Sequence, residues 1–325
     1  MTPQLPTPEE LESAARIVYQ AVPPTPQYSW PLLNAALGTE TWIKHENHTP
    51  VGAFKVRGGL VYMHELALRA PQASGVVSAT RGNHGQSIGF AARRHGVRAT
   101  IVVPHGNSRE KNAAMRALGV ELIEHGNEFQ ESREHAIALA EAQRLHMIPS
   151  FHRDLVRGVA TGWMELFRER PDLDVVFVPI GQGSGISAAI AARQALRLET
   201  RIVGVVSAHA LAYKLSFEQG RKIESPVSTV LADGMACRTP DEESLALVQK
   251  YADEVVAVTD DEVAAAMRLY FRATHNVAEG AGAAALAAAL QMKDKLAGLK
   301  IGLPLTGGNV DQDMYAGVLS RNDSR

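Results

Sequence analysis

The chain has 325 residues, enough for two domains or one large α/β unit at roughly 100–200 residues per domain. It is 46% hydrophobic and 21% charged, with 33 Lys and Arg against 35 Asp and Glu, which excludes a disordered chain and leaves no basic excess for nucleic acid. Its single cysteine, Cys237, excludes an internal disulfide framework and a multi-cysteine zinc site, and makes a reducing, cytoplasmic setting the expectation.

The N-terminus lacks the charged-then-apolar pattern of a secretory signal. A first helix is predicted over residues 7–22, and the proline-rich stretch 23–31 must extend or turn. Short apolar runs then alternate with longer amphipathic ones. Strands are expected over 41–44, 75–79, 99–103, 121–123, 175–179, 202–206, 255–258 and 300–303. Helices are expected over 54–68, 85–95, 110–118, 129–145, 156–170, 185–198, 242–251, 260–274 and 282–293. This alternation predicts parallel sheets, and the units over 75–149 and from 156 onward are compatible with two of them. Gly119 reads as a helix-ending glycine, and Thr259 with Glu262 as a capping box. The alanine-rich run 281–290 is too short to cross a bilayer and reads as close helix packing.

Four loops carry residue types suited to chemistry. Gly181-Gln182-Gly183-Ser184-Gly185 joins an apolar strand to a helix. Its glycines admit close backbone approach, and a helix N-terminus favours a phosphate. It is not a P-loop, which needs Gly-Lys-Ser/Thr, nor a G-x-G-x-x-G turn. The next strand leads into Ser207-Ala208-His209 with no acidic residue for a ribose, so a dinucleotide is disfavoured. A tight turn without a ligand is the plain alternative. Lys55 stands at a helix start between Phe54 and Val56, where the macrodipole disfavours a cation. Buried there, its amine is a candidate nucleophile; exposed, it is an ordinary first-turn lysine. Thr80-Arg81-Gly82-Asn83-His84 closes a strand and opens a helix, with groups suited to a carboxylate. Thr306-Gly307-Gly308-Asn309 follows the last strand and suits either a flat ligand or a plain turn. The histidines form no H-E-x-x-H, so no metal is expected, and the G-x-S-x-G of a serine hydrolase is missing.

Taken in order, these loops resemble those of the fold-type-II pyridoxal-phosphate enzymes, and within them the serine/threonine dehydratase and serine racemase family. The residues that carry the resemblance are Lys44-x-Glu46-Asn47 with Gly52-Ala53-Phe54-Lys55-x-Arg57-Gly58, Gly82-Asn83-His84, Gly181 to Gly185, and Thr306 to Asn309. Asp233-Gly234 and Glu279-Gly280-Ala281-Gly282 add to it, and it spans essentially the whole chain. It implies a two-domain α/β fold like tryptophan synthase β, each lobe a twisted, mostly parallel sheet flanked by helices. Residues 1–70 and 150–325 would form a large cofactor-binding domain, and 71–149 a small substrate-side domain inserted in it. Few residues follow Asn309, so no C-terminal regulatory domain is expected.

The resemblance also implies pyridoxal 5'-phosphate as cofactor. Lys55 would hold it and act as base at Cα, Phe54 would pack near its ring, and Asn83 would bond the ring hydroxyl. Gly181, Gln182, Gly183, Ser184 and Gly185 would cradle the phosphate, and Thr306 would face the pyridine nitrogen. Backbone N–H groups from Thr80, Arg81, Gly82, Asn83 and His84 would bind the substrate carboxylate. The implied reaction is α,β-elimination from a β-hydroxy amino acid to a 2-oxo acid and ammonia, in amino-acid catabolism, by a homodimer with no nucleic-acid or membrane partner. A β-replacement enzyme, a racemase and, in another class, a non-catalytic metabolite-binding protein are the alternatives.

Some positions depart from the family. Arg81 stands where serine is usual, and in the racemase that serine serves the opposite face of Cα. A permanently charged guanidinium does not readily give up and recover a proton, so racemisation is disfavoured. Arg81 also suits a bulkier or acidic substrate, a 3-aryl-serine or 3-hydroxyaspartate, beside the default L-threonine and L-serine. Ala53 replaces a usual serine, and Gly280 a frequent proline. Arg133 lies in a run similar to a substrate-side segment of the racemase. A neutral Thr306 would leave the ring a weaker electron sink, which favours quick loss of the β-hydroxyl over transamination.

Overall fold

The alternating apolar runs build two separate sheets in a computed structural model that describes residues 4–321. The first half of the chain runs α1 (Pro8–Val18), β1 (Gln27–Ser29), α2 (Pro31–Leu37), β2 (Glu40–His45), α3 (Lys55–Arg69), β3 (Val76–Ala79), α4 (Asn83–Arg94), β4 (Ala99–Val103), α5 (Arg109–Ala117), β5 (Glu121–Glu124), α6 (Phe129–Gln143) and β6 (His146–Met147). It continues through α7 (Arg153–Glu169), β7 (Val175–Pro179), α8 (Ser184–Ala195), β8 (Arg201–Ser207), α9 (Ala212–Gln219), α10 (Glu242–Tyr251), β9 (Glu254–Val258), α11 (Asp260–Thr274), α12 (Gly280–Gln291), β10 (Lys300–Leu305) and α13 (Gln312–Ser320).

The larger sheet has the order β1-β2-β10-β7-β8-β9, parallel except for β1 at its edge. The smaller has the order β5-β4-β3-β6 and is wholly parallel. Strands β3 and β4 are buried at every position, as expected where helices cover both faces of a parallel sheet. The alanine-rich α12 is buried along nearly its whole length, its small side chains admitting α11 and the larger sheet on either side. Among the described residues no helix is long and apolar enough to cross a membrane.

Helices α3 and α7 form the seam between the sheets. Val56, Leu60 and Val61 of α3 share a core with Val76 and Ile101 of the smaller sheet. Val159, Trp163 and Phe167 of α7 share one with Val176 and Val178 of the larger. The two backbones touch: a Cβ on Gly158 would lie 2.1 Å from the Arg57 carbonyl oxygen. A buried charge cluster locks this seam. Arg57 donates to Glu46 at 2.8 and 3.0 Å and to Glu165 at 2.6 and 3.0 Å, while Lys44 reaches Glu165 at 2.6 Å.

Elements that the sequence pattern does not reveal are short or capped in unexpected ways. Strands β1 and β6 have three and two residues, too few to display a period. Helix α2 starts at Pro31 itself, whose fixed φ suits the first helical position. Helix α4 begins at Asn83, two residues before the predicted start, so the Asn83 and His84 side chains belong to its first turn.

Candidate active site

The lysine loop is built by two neighbours distant in sequence. Gly52 takes a φ of +67°, and the loop then zips onto the segment after β10. Phe54 N–H donates to the Thr306 carbonyl at 3.0 Å, Gly308 N–H donates to the Gly52 carbonyl at 2.9 Å, and Ala53 bridges Gly307. Lys55 follows as the first residue of α3, with no side chain capping that helix. Its Nζ lies 5.0 Å from the centre of the Phe54 ring. Burial pulls its amine down to about 8, with Glu279 pulling the other way. The sequence left open whether this lysine is buried or solvated; the fold leaves it half-buried in the wall of a cleft.

The opposite wall is the loop that opens α4. Gly82 takes a φ of +155° and donates its N–H to Thr80 Oγ1 at 3.0 Å. Asn83 Nδ2 donates to Glu279 Oε1, and Asn83 Oδ1 accepts from Asn309 Nδ2 at 2.9 Å. An amide carries two hydrogens, so one on Asn83 stays free for a ligand. His84 is 7% exposed, and its Nε2 has no partner. Burial, then the neighbouring Lys55 charge, lowers it to about 3, so the ring is neutral. Arg81 Nε is likewise buried without a partner. Orphaned buried nitrogens are costly, and two of them at one helix start indicate a place for an acceptor.

The third wall is the turn between β7 and α8. Gly183 takes a φ of +95°, and a Cβ there would lie 1.7 Å from Ser244 Oγ. A Cβ on Gly181 would lie 2.3 Å from the Gly234 carbonyl oxygen. Tyr213 donates to the Gln182 carbonyl at 3.1 Å, which holds the turn from behind. No side chain caps α8, so its first N–H groups point out as an anion seat. Phe54 lies against this turn: a Cβ on Gly185 would meet its ring at 3.7 Å. Thr306 Oγ1 is 3.5 Å from the Ala281 carbonyl.

The walls border an open cleft lined by Lys55, the loop from Thr80 to His84, Gly181 and Gln182. Gly183, Ser184 and Gly185 continue the same turn, Phe54 packs on Gly185 and bonds Thr306 through the backbone, and none of these five lines the cleft itself. Arg133 is exposed and does not line it. Lys111 and Asp233 line it too, and the sequence reading passed over Lys111. The signal was available: like Lys55, it is a lysine in the first turn of a helix, where the dipole disfavours a cation.

These features fit pyridoxal phosphate: a half-buried lysine amine with a lowered pKa, a glycine turn with no room for a Cβ at Gly181 or Gly183 before an uncapped helix, and a free amide hydrogen in the same cleft. The signature of the pyridoxal-phosphate dependent enzymes matches residues 18–307. The chain belongs to that family. As in the rest of the family, its cofactor is pyridoxal 5'-phosphate. The chain is 33% identical to an L-threonine ammonia-lyase of Thermotoga maritima, over 96% of this chain and 78% of that protein. It is 31% identical to an L-threo-3-hydroxyaspartate ammonia-lyase of Saccharomyces cerevisiae, over 97% of both. Among solved structures, the processed form of threonine deaminase isoform 2 from Solanum lycopersicum superposes with a TM-score of 0.89 at 28% identity, over 99% of this chain and 97% of that one. The match to the biosynthetic L-threonine dehydratase of Haemophilus influenzae spans 58% of that longer protein.

Proposed function

We propose that this cleft carries out α,β-elimination on a β-hydroxy amino acid, releasing a 2-oxo acid and ammonia. The observation that carries the reading is the Lys55 amine, pulled down to about 8 by burial and set opposite a helix start with unpartnered nitrogens. The chain is a pyridoxal-phosphate-dependent ammonia-lyase of the hydroxy amino acid type, in keeping with its threonine and hydroxyaspartate ammonia-lyase relatives. When bound, the cofactor supplies the sink for the electron pair left at Cα.

The protein's own groups do the rest. The uncapped start of α8 binds the phosphate, and the free Asn83 hydrogen fixes the ring hydroxyl. The start of α4 takes the substrate carboxylate. Lys55 Nζ is the amine that holds the cofactor and then removes the Cα proton. The β-hydroxyl leaves as water, in balance with the proton that Lys55 takes from Cα, and the freed enamine takes a solvent proton at Cβ to become an imine, which water hydrolyses to the 2-oxo acid and ammonia. Thr306 offers a neutral hydroxyl to the pyridine side, which favours early loss of the β-hydroxyl. On the face of Cα away from Lys55, Arg81 provides no ready proton donor, which supports elimination over racemisation.

L-threonine and L-serine are the default substrates. An acidic relative such as 3-hydroxyaspartate is the second reading, favoured by the unpartnered Arg81 nitrogen in the cleft. We also read residues 71–149 as a small domain carried by the large one, and the enzyme as a cytoplasmic homodimer of amino-acid catabolism. The smaller sheet, confined to residues between 76 and 147, supports the first of these. The test is direct. The purified protein is expected to be yellow, borohydride to fix the chromophore on Lys55, and a keto-acid assay over a panel of β-hydroxy amino acids to rank the substrates. A protein that neither retains nor takes up pyridoxal phosphate would sink the reading, and D-serine appearing from L-serine as fast as pyruvate would sink the elimination-only part.

A further inference from the structure

Helix α5 belongs to the smaller sheet's layer, yet it is held by the larger sheet's loops at two separate places. At its N-terminus the Asp311 carboxylate accepts from Ser108 Oγ, and from the N–H groups of Arg109 and Glu110 at 3.2 Å each. Gln312 N–H in turn donates to Glu110 Oε1 at 2.8 Å. Further in, Lys111 is 5% exposed and its side chain runs beneath Gly82, where a Cβ would lie 2.4 Å from Lys111 Cδ. Its Nζ ends 2.8 and 3.0 Å from the Asp233 carboxylate and 3.1 Å from Glu279 Oε2. The other oxygen of Glu279 takes the Asn83 amide, whose own oxygen is held by Asn309. One chain of contacts thus runs from α5 to the amide that the cofactor reading uses.

The charges explain why a lysine stands there. Asp233 and Glu279 share one small region, and Glu279 is 2% exposed. Burial pushes the Glu279 carboxyl up, and Lys111 is the largest influence pulling it back. Without that ammonium, a buried Glu279 carboxylate would face the partly exposed Asp233 carboxylate, and one of them would take a proton or turn outward. A neutral or displaced Glu279 grips the Asn83 amide less strongly, because the bond loses its charge assistance.

We propose that Lys111 is a positioning residue: by bridging Asp233 and Glu279 from α5, it holds the Asn83 amide in place for the cofactor. This rests on the pyridoxal-phosphate reading of the cleft and acts through Glu279 and Asn83. The test compares wild type, K111M, K111R and D311N, each stripped of cofactor and titrated with pyridoxal phosphate by fluorescence, with kcat and KM measured on the reloaded enzymes. K111M is expected to bind the cofactor about tenfold more weakly, the worth of one charge-assisted hydrogen bond, and to lose kcat more than KM. K111R restores most of both. D311N, which loosens only the N-terminus of α5, lowers the melting temperature but leaves cofactor affinity intact. K111M binding the cofactor as tightly as wild type, or K111R behaving no better than K111M, overturns the proposal. If K111M does not fold, E279Q carries the test: the same weakening is expected, and wild-type affinity refutes it. Wild-type protein that binds no pyridoxal phosphate refutes the reading of the cleft instead.

Discussion

Replacing Arg57 by methionine removes one of two cations from the cluster at the α3–α7 seam. Arg57 is fully buried and its partners Glu46 and Glu165 are 5% and 8% exposed, so water does not compensate for the loss. With Arg57 present, two cations balance two carboxylates. Without it, Lys44 still reaches Glu165 at 2.6 Å, but Glu46 keeps only the Thr25 hydroxyl, which donates to it at 2.6 Å. Stranding a buried charge in this way costs about 3–5 kcal/mol. At about 2.1 cal/mol/K per residue of unfolding entropy, that lowers Tm by roughly 4–7 °C in a chain of this length. The assay is thermal and urea unfolding followed by circular dichroism. R57M/E46Q, which removes one charge of each sign and leaves the Lys44–Glu165 pair, is expected to regain part of the loss. R57M melting within a degree of wild type, or the double variant melting below the single, would show that the cluster is not closed to water.

Three further outcomes are open to measurement. Burial holds His84 at about 3 against 6.5 when unfolded, so the unfolded chain takes up this proton first and the fold weakens as pH falls below 6.5. Urea midpoints at pH 7 and pH 5 should show H84Q gaining about 2 kcal/mol on wild type over that interval, and no change between them would contradict a neutral buried ring. G183A, with a φ of +95° and Ser244 Oγ in the way, is expected to cost more than about 1 kcal/mol and to lose pyridoxal phosphate on gel filtration; full retention would remove the turn from the phosphate site. Cys237 is 2% exposed and its thiol is pushed up to about 12, mainly by burial, so a maleimide should label it only after denaturation; rapid labelling of native protein would contradict the packing.

Much of the fold was legible because the chain keeps local pattern and burial in agreement. The apolar runs 99–103 and 175–179 are strands to the residue, and the segments 242–251 and 260–274 are helices to the residue, the second opened by the Thr259–Glu262 capping box. What the pattern cannot carry is pairing at a distance. Arg57 stood in the sequence only as a member of the lysine motif, and its partner Glu165 is 108 residues away. Asp233 and Glu279 looked like family landmarks without a task until α5 delivered Lys111 between them. The glycines and the first-turn lysine at residue 55 were readable because their types are unusual for their local position. Lys111 shares that property, and only the company of a motif set Lys55 apart.

The position of β10 bears on the order in which the molecule can assemble. It enters the larger sheet between β2 and β7, pairing with residues some 260 and 125 positions earlier in the chain. Until it does so, the loop before Lys55 has no Thr306–Gly308 segment to zip against, and Asn83 has no Asn309. A nascent chain can therefore build the smaller sheet and the α3–α7 seam while the cofactor pocket is still missing a wall. Closing contacts so distant in sequence is slow, because the loop entropy is met before the contacts form. On this order of events, cofactor capture is among the last steps of folding, and a refolding chain should regain its helical signal before its yellow colour.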